Sequence, residues 1–304
     1  MTNGTKLSTL LMLVLTVLAM TLSSCGTAPA AQPSALPATG TISPATAVPT
    51  AAVTDTPAPT ATPALDIGST LVREADSMTM MYVPQGEFTM GSDAGPTVER
   101  PAHKVTLDAF WIDQIEVTNA MYQVCVTAGA CKPPLAKSSF KRHTYYGDPQ
   151  FDGFPVMAVN WDSATAYCTW AGARMPTEAE WEKAARGTDE RIYPWGETAG
   201  CDFANTNRCK GDTEAAANYE TGKSPFGLYD MAGNVLEWTA DWFDAKYYAA
   251  SPPSNPTGPE TGQMRVVRGG SWYQFAESAT TTSRGRVAPG DSLNYVGFRC
   301  AMHP

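Results

Sequence analysis

Apolar and polar positions alternate in short runs over the first part of the folded region. Met78–Val83, Gly86–Met90 and Lys104–Ile112 are each bounded by Gly, Pro or charged residues. Runs of this kind predict strands. Three later stretches carry helix signals instead. Thr118 stands as a cap ahead of Asn119-Ala120-Met121-Tyr122-Gln123-Val124, and Gly129 supplies the stop. Asn160 precedes Trp161–Trp170, which stops near Gly172. Thr177-Glu178-Ala179-Glu180 spells a capping box and predicts a helix that runs to Arg186 and ends at Gly187, with Pro176 setting a sharp entry. Farther on, Tyr193-Pro194-Trp195-Gly196, Phe226-Gly227-Leu228-Tyr229-Asp230 and Gly233-Asn234 alternate aromatics with turn residues. Aromatics so placed pin long loops to a core. No fixed-period repeat occurs, and the mixture predicts an α+β domain with little regular structure.

The first residues are a different material. Lys6 leads into the apolar run Leu7–Leu22, and Ser23-Ser24-Cys25 follows at once. A basic start, an apolar stretch and small residues read as a secretory signal over residues 1–25. The cysteine directly after the small pair resembles the lipobox of bacterial lipoproteins. In that family this thiol, here Cys25, takes a diacylglycerol and becomes the new N-terminus. The resemblance implies an exported chain anchored to the outer face of the cell membrane, with the membrane as a partner. Residues 26–65 are rich in Pro, Thr and Ala, contain no aromatic residue and carry only Asp55 as a charge. They bury too little to repay ordering and read as a disordered tether, able in extended form to reach on the order of 100 Å. Residues 66–304 remain as the folded domain.

The chain of 304 residues carries a net charge of −9, nearly all of it in that domain. Such a balance argues against nucleic acid as a partner, since phosphate backbones are met by basic patches. Of seven cysteines, Cys25 is set aside. Cys125, Cys131, Cys168, Cys201, Cys209 and Cys300 form an even set, which in an exported protein favours disulfides. Spacing suggests two short loops, Cys125–Cys131 and Cys201–Cys209, and leaves Cys168 and Cys300, but it does not fix the connectivity. No C-x-x-C pair and only three histidines make a zinc site a weaker reading.

The order of motifs is more specific than any one of them. It runs through Gly86-Glu87-Phe88-Thr89-Met90-Gly91, Glu99-Arg100-Pro101-Ala102-His103, Glu116-Val117-Thr118-Asn119, Pro155-Val156 and Val159-Asn160-Trp161. Arg174-Met175-Pro176-Thr177-Glu178-Ala179-Glu180-Trp181 and Tyr193-Pro194-Trp195-Gly196 follow. Phe226–Val235, Glu237-Trp238, Arg268-Gly269-Gly270-Ser271-Trp272 and Gly297-Phe298-Arg299-Cys300 complete it. Together these resemble the formylglycine-generating enzyme family, also called the sulfatase-modifying factor domain, over roughly residues 78–302. The resemblance implies a single irregular, loop-rich α+β domain distantly like C-type lectins, and a disulfide between Cys168 and Cys300.

It also implies a chemistry. Family enzymes oxidise a sulfatase cysteine to formylglycine with oxygen and a Cu(I) ion held by two cysteines, in keeping with the affinity of soft metal for thiolate. One follows the Gly-Gly-Ser serine by three residues and the other comes five residues later. Here those positions are Gln274 and Ala279, so the frame is kept without copper ligands. Related enzymes use an iron held by three histidines, whereas His103, His143 and His303 are scattered without that spacing. No Ser-His-Asp arrangement can be argued. Structural calcium is the cofactor the resemblance still implies, with Asn234 and Glu237 matching one site and Asn205, Thr206 and Asp212 approximating another. Ser271, Trp238, Arg284 and Arg286 remain as a residual groove.

Two functions compete. One is a non-catalytic, surface-anchored binding or scaffolding module for a protein, peptide or glycan partner. The other is a formylglycine-generating oxidoreductase acting on a sulfatase cysteine.

Overall fold

The computed structural model describes residues 64–304. The leader, Cys25 and nearly all of the tether lie outside the described residues.

Two small four-stranded sheets and a hairpin are connected by long ordered loops. In the first sheet, β1 (Thr70–Val72), β2 (Thr79–Val83), β5 (Phe110–Asp113) and β10 (Ala301–Met302) lie side by side, all antiparallel. The hairpin is β3 (Gly86–Met90) with β4 (His103–Leu107). The run expected as one strand over Lys104–Ile112 is therefore two. Asp108 and Ala109 break it: β4 turns to β3, while β5 pairs with β2 from Met80↔Asp113 to Val83↔Phe110. In the second sheet, β6 (Leu236–Trp242) has β7 (Arg265–Arg268) on one side and β9 (Val296–Gly297), parallel, on the other; β8 (Gly285–Val287) closes the edge.

The three helices form where the sequence predicts them. In α1 (Asn119–Thr127) the Thr118 hydroxyl accepts from the Met121 amide; in α2 (Trp161–Trp170) the Asn160 side chain accepts from the Ser163 amide at 2.9 Å. Both satisfy amides that a helix start leaves open. In α3 (Glu178–Arg186) the capping box is complete, with Glu180 returning to the Thr177 amide at 2.8 Å. Disulfides join Cys125 to Cys131, Cys168 to Cys300 and Cys201 to Cys209. The long one fastens α2 beside β10, closing a loop whose freedom would otherwise favour the unfolded chain.

The core has two main parts. Tyr122, Tyr167, Trp238 and Phe298 centre one, against α1 and α2. Phe88, Phe110, Trp181 and Leu228 centre the other, around α3. All nine residues of α3 are buried, although five carry charge. Buried charge is tolerated only when partners reach it; each of these side chains is hydrogen-bonded, and four of the five are in ion pairs. Glu180 takes both terminal nitrogens of Arg174 at 2.6 and 2.7 Å. Arg186 donates to the Thr89 and Gly91 carbonyls. Lys183 donates to the carbonyls of Pro84 at 2.7 Å and Gly86 at 3.0 Å, with no carboxylate among its partners.

That last arrangement has a titration signature. Burial pushes the Lys183 ammonium down to about 8, from 10.5. From about pH 8 towards 10.5 the unfolded chain keeps a proton that the folded chain has released, so this group makes stability rise with pH in that window and leaves it flat below. Urea unfolding of the wild type and Lys183→Met across pH 7 to about 10 is expected to give a more positive pH slope above 8 in the wild type. Parallel slopes would show that the ammonium does not titrate there.

Candidate functional site

Strand β7 ends at Arg268, and the chain turns through Gly269 and Gly270, both left-handed at φ +90° and +70°. A Cβ on Gly270 would stand 2.7 Å from the Ala279 methyl, so both the turn and the close approach require glycine. The chain then loops out and returns along β8, where Val267 faces Gly285 and Val266 faces Arg286. The Arg268 guanidinium pins the returning arm. It donates to the carbonyls of Thr281 at 2.8 Å, Thr282 at 2.9 Å and Ser283 at 2.6 Å, and to Glu182 at 2.5 Å.

A cleft of about 490 Å³ opens beside this arm, with Ser92, Glu99, Arg186, Gln274, Thr282 and Arg284 among its lining. Its opposite wall is fastened across the gap. Thr282 donates to Glu99 at 2.7 Å, and Arg284 donates to the Val98 carbonyl at 2.7 Å. Arg284 also grips Glu178 through two bonds of 2.7 and 2.8 Å and lies 4.1 Å over the Tyr248 ring. Burial pushes the Glu178 carboxyl up, but Arg284 and Arg268 outweigh it and hold the group below its usual range. For Glu182 burial wins over Arg268 and Arg186, and its carboxyl is raised. Burial, with Glu178 and Glu182, also raises the Tyr248 phenol well above its usual value. The charges beneath the cleft thus satisfy one another, and their visible work is to hold its walls.

The residues singled out in the sequence divide. Gln274 lines the cleft, its backbone carbonyl accepting from the Asn207 amide at 2.8 Å. Ala279 is buried among Ala204, Ala232 and Trp195. Ser271 is fully buried, and its hydroxyl has only long contacts of 3.4 Å, to the Gln274 side chain and the Tyr273 amide. No general base stands among those partners. Trp238 is a core residue rather than part of a groove: its indole donates to the Val159 carbonyl at 3.1 Å within the cluster around Phe298. Arg286 is exposed, 5.0 Å over Phe243. The histidines stay apart: His103 contacts the Pro101 carbonyl, His303 accepts from Arg174, and His143 lies by Tyr146. Among the described residues all six cysteines are in disulfides, and no group of three or more His, Cys, Asp or Glu side chains could hold a metal.

Calcium takes six to eight oxygens, and the two proposed sets offer few. Both Glu237 oxygens accept from Arg299 at 2.7 Å, and one also accepts from the Trp181 indole. Asn234 faces elsewhere, giving its amide to Glu116 and taking the Glu214 amide on its oxygen. At the second set, Asp212 is surrounded by donors from Ser139, Lys141, Thr213 and Arg142. Arg142 already supplies the positive charge there. The Thr206 carbonyl accepts from the Cys209 amide at 3.0 Å. The Asn205 side-chain oxygen is the one buried atom of these sets left without a partner. As arranged, these residues do not fit a calcium ion.

Glu99, Glu178 and Arg268 stand in the motif strings, but the network they form with Glu182 and Tyr248 was missed, because nothing in EAEWEKAAR tells that all its faces are covered.

A small disulfide-fastened α+β domain, with a cleft built at a Gly-Gly turn between two paired strands, defines the class. Residues 69–304 match the sulfatase-modifying factor enzyme 1-like domain, and the chain belongs to that family. It is 35% identical to a formylglycine-generating enzyme of Streptomyces coelicolor, over 72% of this chain and 87% of the other. It is 31% identical to a mouse protein named inactive C-alpha-formylglycine-generating enzyme 2, over 75% and 86%. A serine/threonine-protein kinase pkn1 of Chlamydia pneumoniae is 37% identical over 74% of this chain, and the match spans only 38% of that kinase. Among solved structures, PvdO from Pseudomonas aeruginosa superposes with a TM-score of 0.69 at 26% identity, covering 79% of this chain and all of the other.

Removing divalent cations is expected to leave the domain intact. A melting curve in EDTA should lie within about 1 °C of one in millimolar calcium, since a ligand that binds neither state shifts nothing. A calcium-dependent rise of several degrees that is lost in Asn205→Ala would show that the free Asn205 oxygen is a ligand after all.

Proposed function

We propose that this chain is a surface-anchored, non-catalytic member of its family, a binding or scaffolding module that keeps the cleft and lacks the oxidase chemistry. One observation carries the proposal. Gln274 and Ala279 stand where the family's copper-binding cysteines belong, and every cysteine among the described residues is spent in a disulfide. Neither an amide nor a methyl group replaces thiolate as a Cu(I) ligand. The relative named inactive is a precedent for a family member without the activity. Anchoring rests on the leader and the Ser23-Ser24-Cys25 junction, and display away from the membrane rests on the Pro-rich segment that follows.

The competing reading is a formylglycine-generating oxidoreductase. Identity to the Streptomyces coelicolor enzyme and the presence of a cleft beside the Gly-Gly turn favour it.

Mass spectrometry separates the two. A peptide with a Cys-x-Pro-x-Arg motif is incubated with the full chain, Cu(I) and oxygen, and in parallel with the Streptomyces coelicolor enzyme. The peptide thiol is expected to stay unchanged with this chain and to become an aldehyde in the control. Aldehyde formation by this chain above protein-free background would sink the non-catalytic reading.

A further inference from the structure

An aromatic surface next to the cleft has no role in what precedes. Phe140, Tyr273 and Phe275 are exposed by 64%, 58% and 53%. They belong to two loops, which a third, the Cys201–Cys209 loop, holds together. The Phe140 ring lies 5.3 Å from that of Trp272, which neighbours Tyr273 at 5.7 Å. Asn207, inside the Cys201–Cys209 disulfide loop, donates to the carbonyls of Tyr273 and Gln274, both at 2.8 Å. Arg208 of the same loop lies 5.3 Å over Phe275. Lys141, beside Phe140, donates to the Lys210 carbonyl at 2.6 Å and closes the circuit. Exposed large apolar side chains gathered on fixed loops mark an interaction site more often than scattered ones do.

On the three loops, residues 132–143, 201–210 and 271–279, six cations stand against two carboxylates, Asp202 and Glu277, so the local balance runs against that of the molecule. Residues 132–143 contain Lys132, Lys137, Lys141 and Arg142 and no carboxylate, in a chain of net charge −9. Arg142 is neutralised by Asp212 at 3.1 Å. Lys137, Lys141 and Arg208 are exposed and have no ion-pair partner among the described residues. An acidic protein that gathers free cations around open aromatic faces presents a local field for an anion that also has an apolar face.

We propose that this surface, formed by Phe140, Tyr273, Phe275, Lys141 and Arg208, binds an acidic glycan, a polysaccharide carrying carboxylate groups. Aromatic rings offered as platforms suit the flat apolar faces of sugar rings, whereas peptide side chains require pockets. The free cations meet the carboxylates. The acidity of the rest of the domain disfavours the denser charge of a nucleic acid. The inference rests on the binding-module reading but is separable from it. Aldehyde formation in the peptide assay would overturn that reading and leave this surface intact, while a failure here would leave the absence of oxidase chemistry untouched.

Isothermal titration of the full chain with oligogalacturonate tests it, with the methyl-esterified oligomer, a thymidine oligonucleotide and poly-glutamate as comparisons. Saturable binding of oligogalacturonate is expected, weakening by about tenfold from low to physiological salt as the charges are screened. Phe140→Ala/Tyr273→Ala/Phe275→Ala and Lys141→Ala/Arg208→Ala are each expected to weaken it by on the order of tenfold or more. All five side chains are at the surface, so unchanged melting curves show that both variants fold. Absence of saturable binding overturns the proposal. So does equal binding of the neutral ester, tighter binding of the oligonucleotide or poly-glutamate, or full affinity in either variant.

Discussion

A helix with charge on every side is buried at the centre of this domain, and most of the loop structure exists to satisfy it. Glu178, Glu180, Glu182, Lys183 and Arg186 of α3 cannot stay ionised away from water unless partners reach them. The partners come from distant parts of the chain: Arg284 and Arg268 from either side of the cleft arm, Arg174 from the segment before the helix, and carbonyls of the β3 hairpin. A second buried pair, Arg299 with Glu237, lies against the same helix through the Trp181 indole. Burying ion pairs is a poor way to gain stability over an apolar core, but removing one partner strands the other at a cost of about 3–5 kcal/mol. The network therefore specifies which loop meets which, and the loops that carry little regular structure of their own are placed by it.

The walls of the cleft do not depend on the two positions that the resemblance assigns to copper. They are held by Arg268, Arg284 and Glu99, none of which occupies the copper-binding positions. Those positions lie on the excursion between β7 and β8. Gln274 is tied there through its backbone carbonyl, and Ala279 is a small residue against the Gly270 turn. Ala279 packs against the turn and the Gln274 side chain takes a long hydrogen bond from Ser271, but neither makes the bonds that fasten the walls to each other.

The helices and the first strands were legible because their signals are local. Caps at Thr118, Asn160 and Thr177 act within one turn, and the alternation from Lys104 to Leu107 reflects a strand with one covered face. Strands β6 to β10 lack such a signal. LEWTADW is covered on both faces, so it does not alternate, and the others span two to four residues. Two short disulfides followed from spacing and the long one from family resemblance. Of the candidate site, the order of motifs located the Gly-Gly turn and the two altered positions. It misplaced Trp238, an aromatic of the Glu237-Trp238 motif that serves as core. It also gave no hint that Glu237 and Asp212 were committed to Arg299 and Arg142, because pairing across the fold leaves no trace in local sequence.

Copper affinity tests the central claim most directly. Cu(I) is titrated into the reduced-buffer protein, with its disulfides intact, against a chromogenic Cu(I) chelator of known strength. The account predicts that the chelator keeps the metal at every ratio, because no thiolate pair faces the cleft. One equivalent of Cu(I) withdrawn from the chelator by the wild-type chain would contradict it.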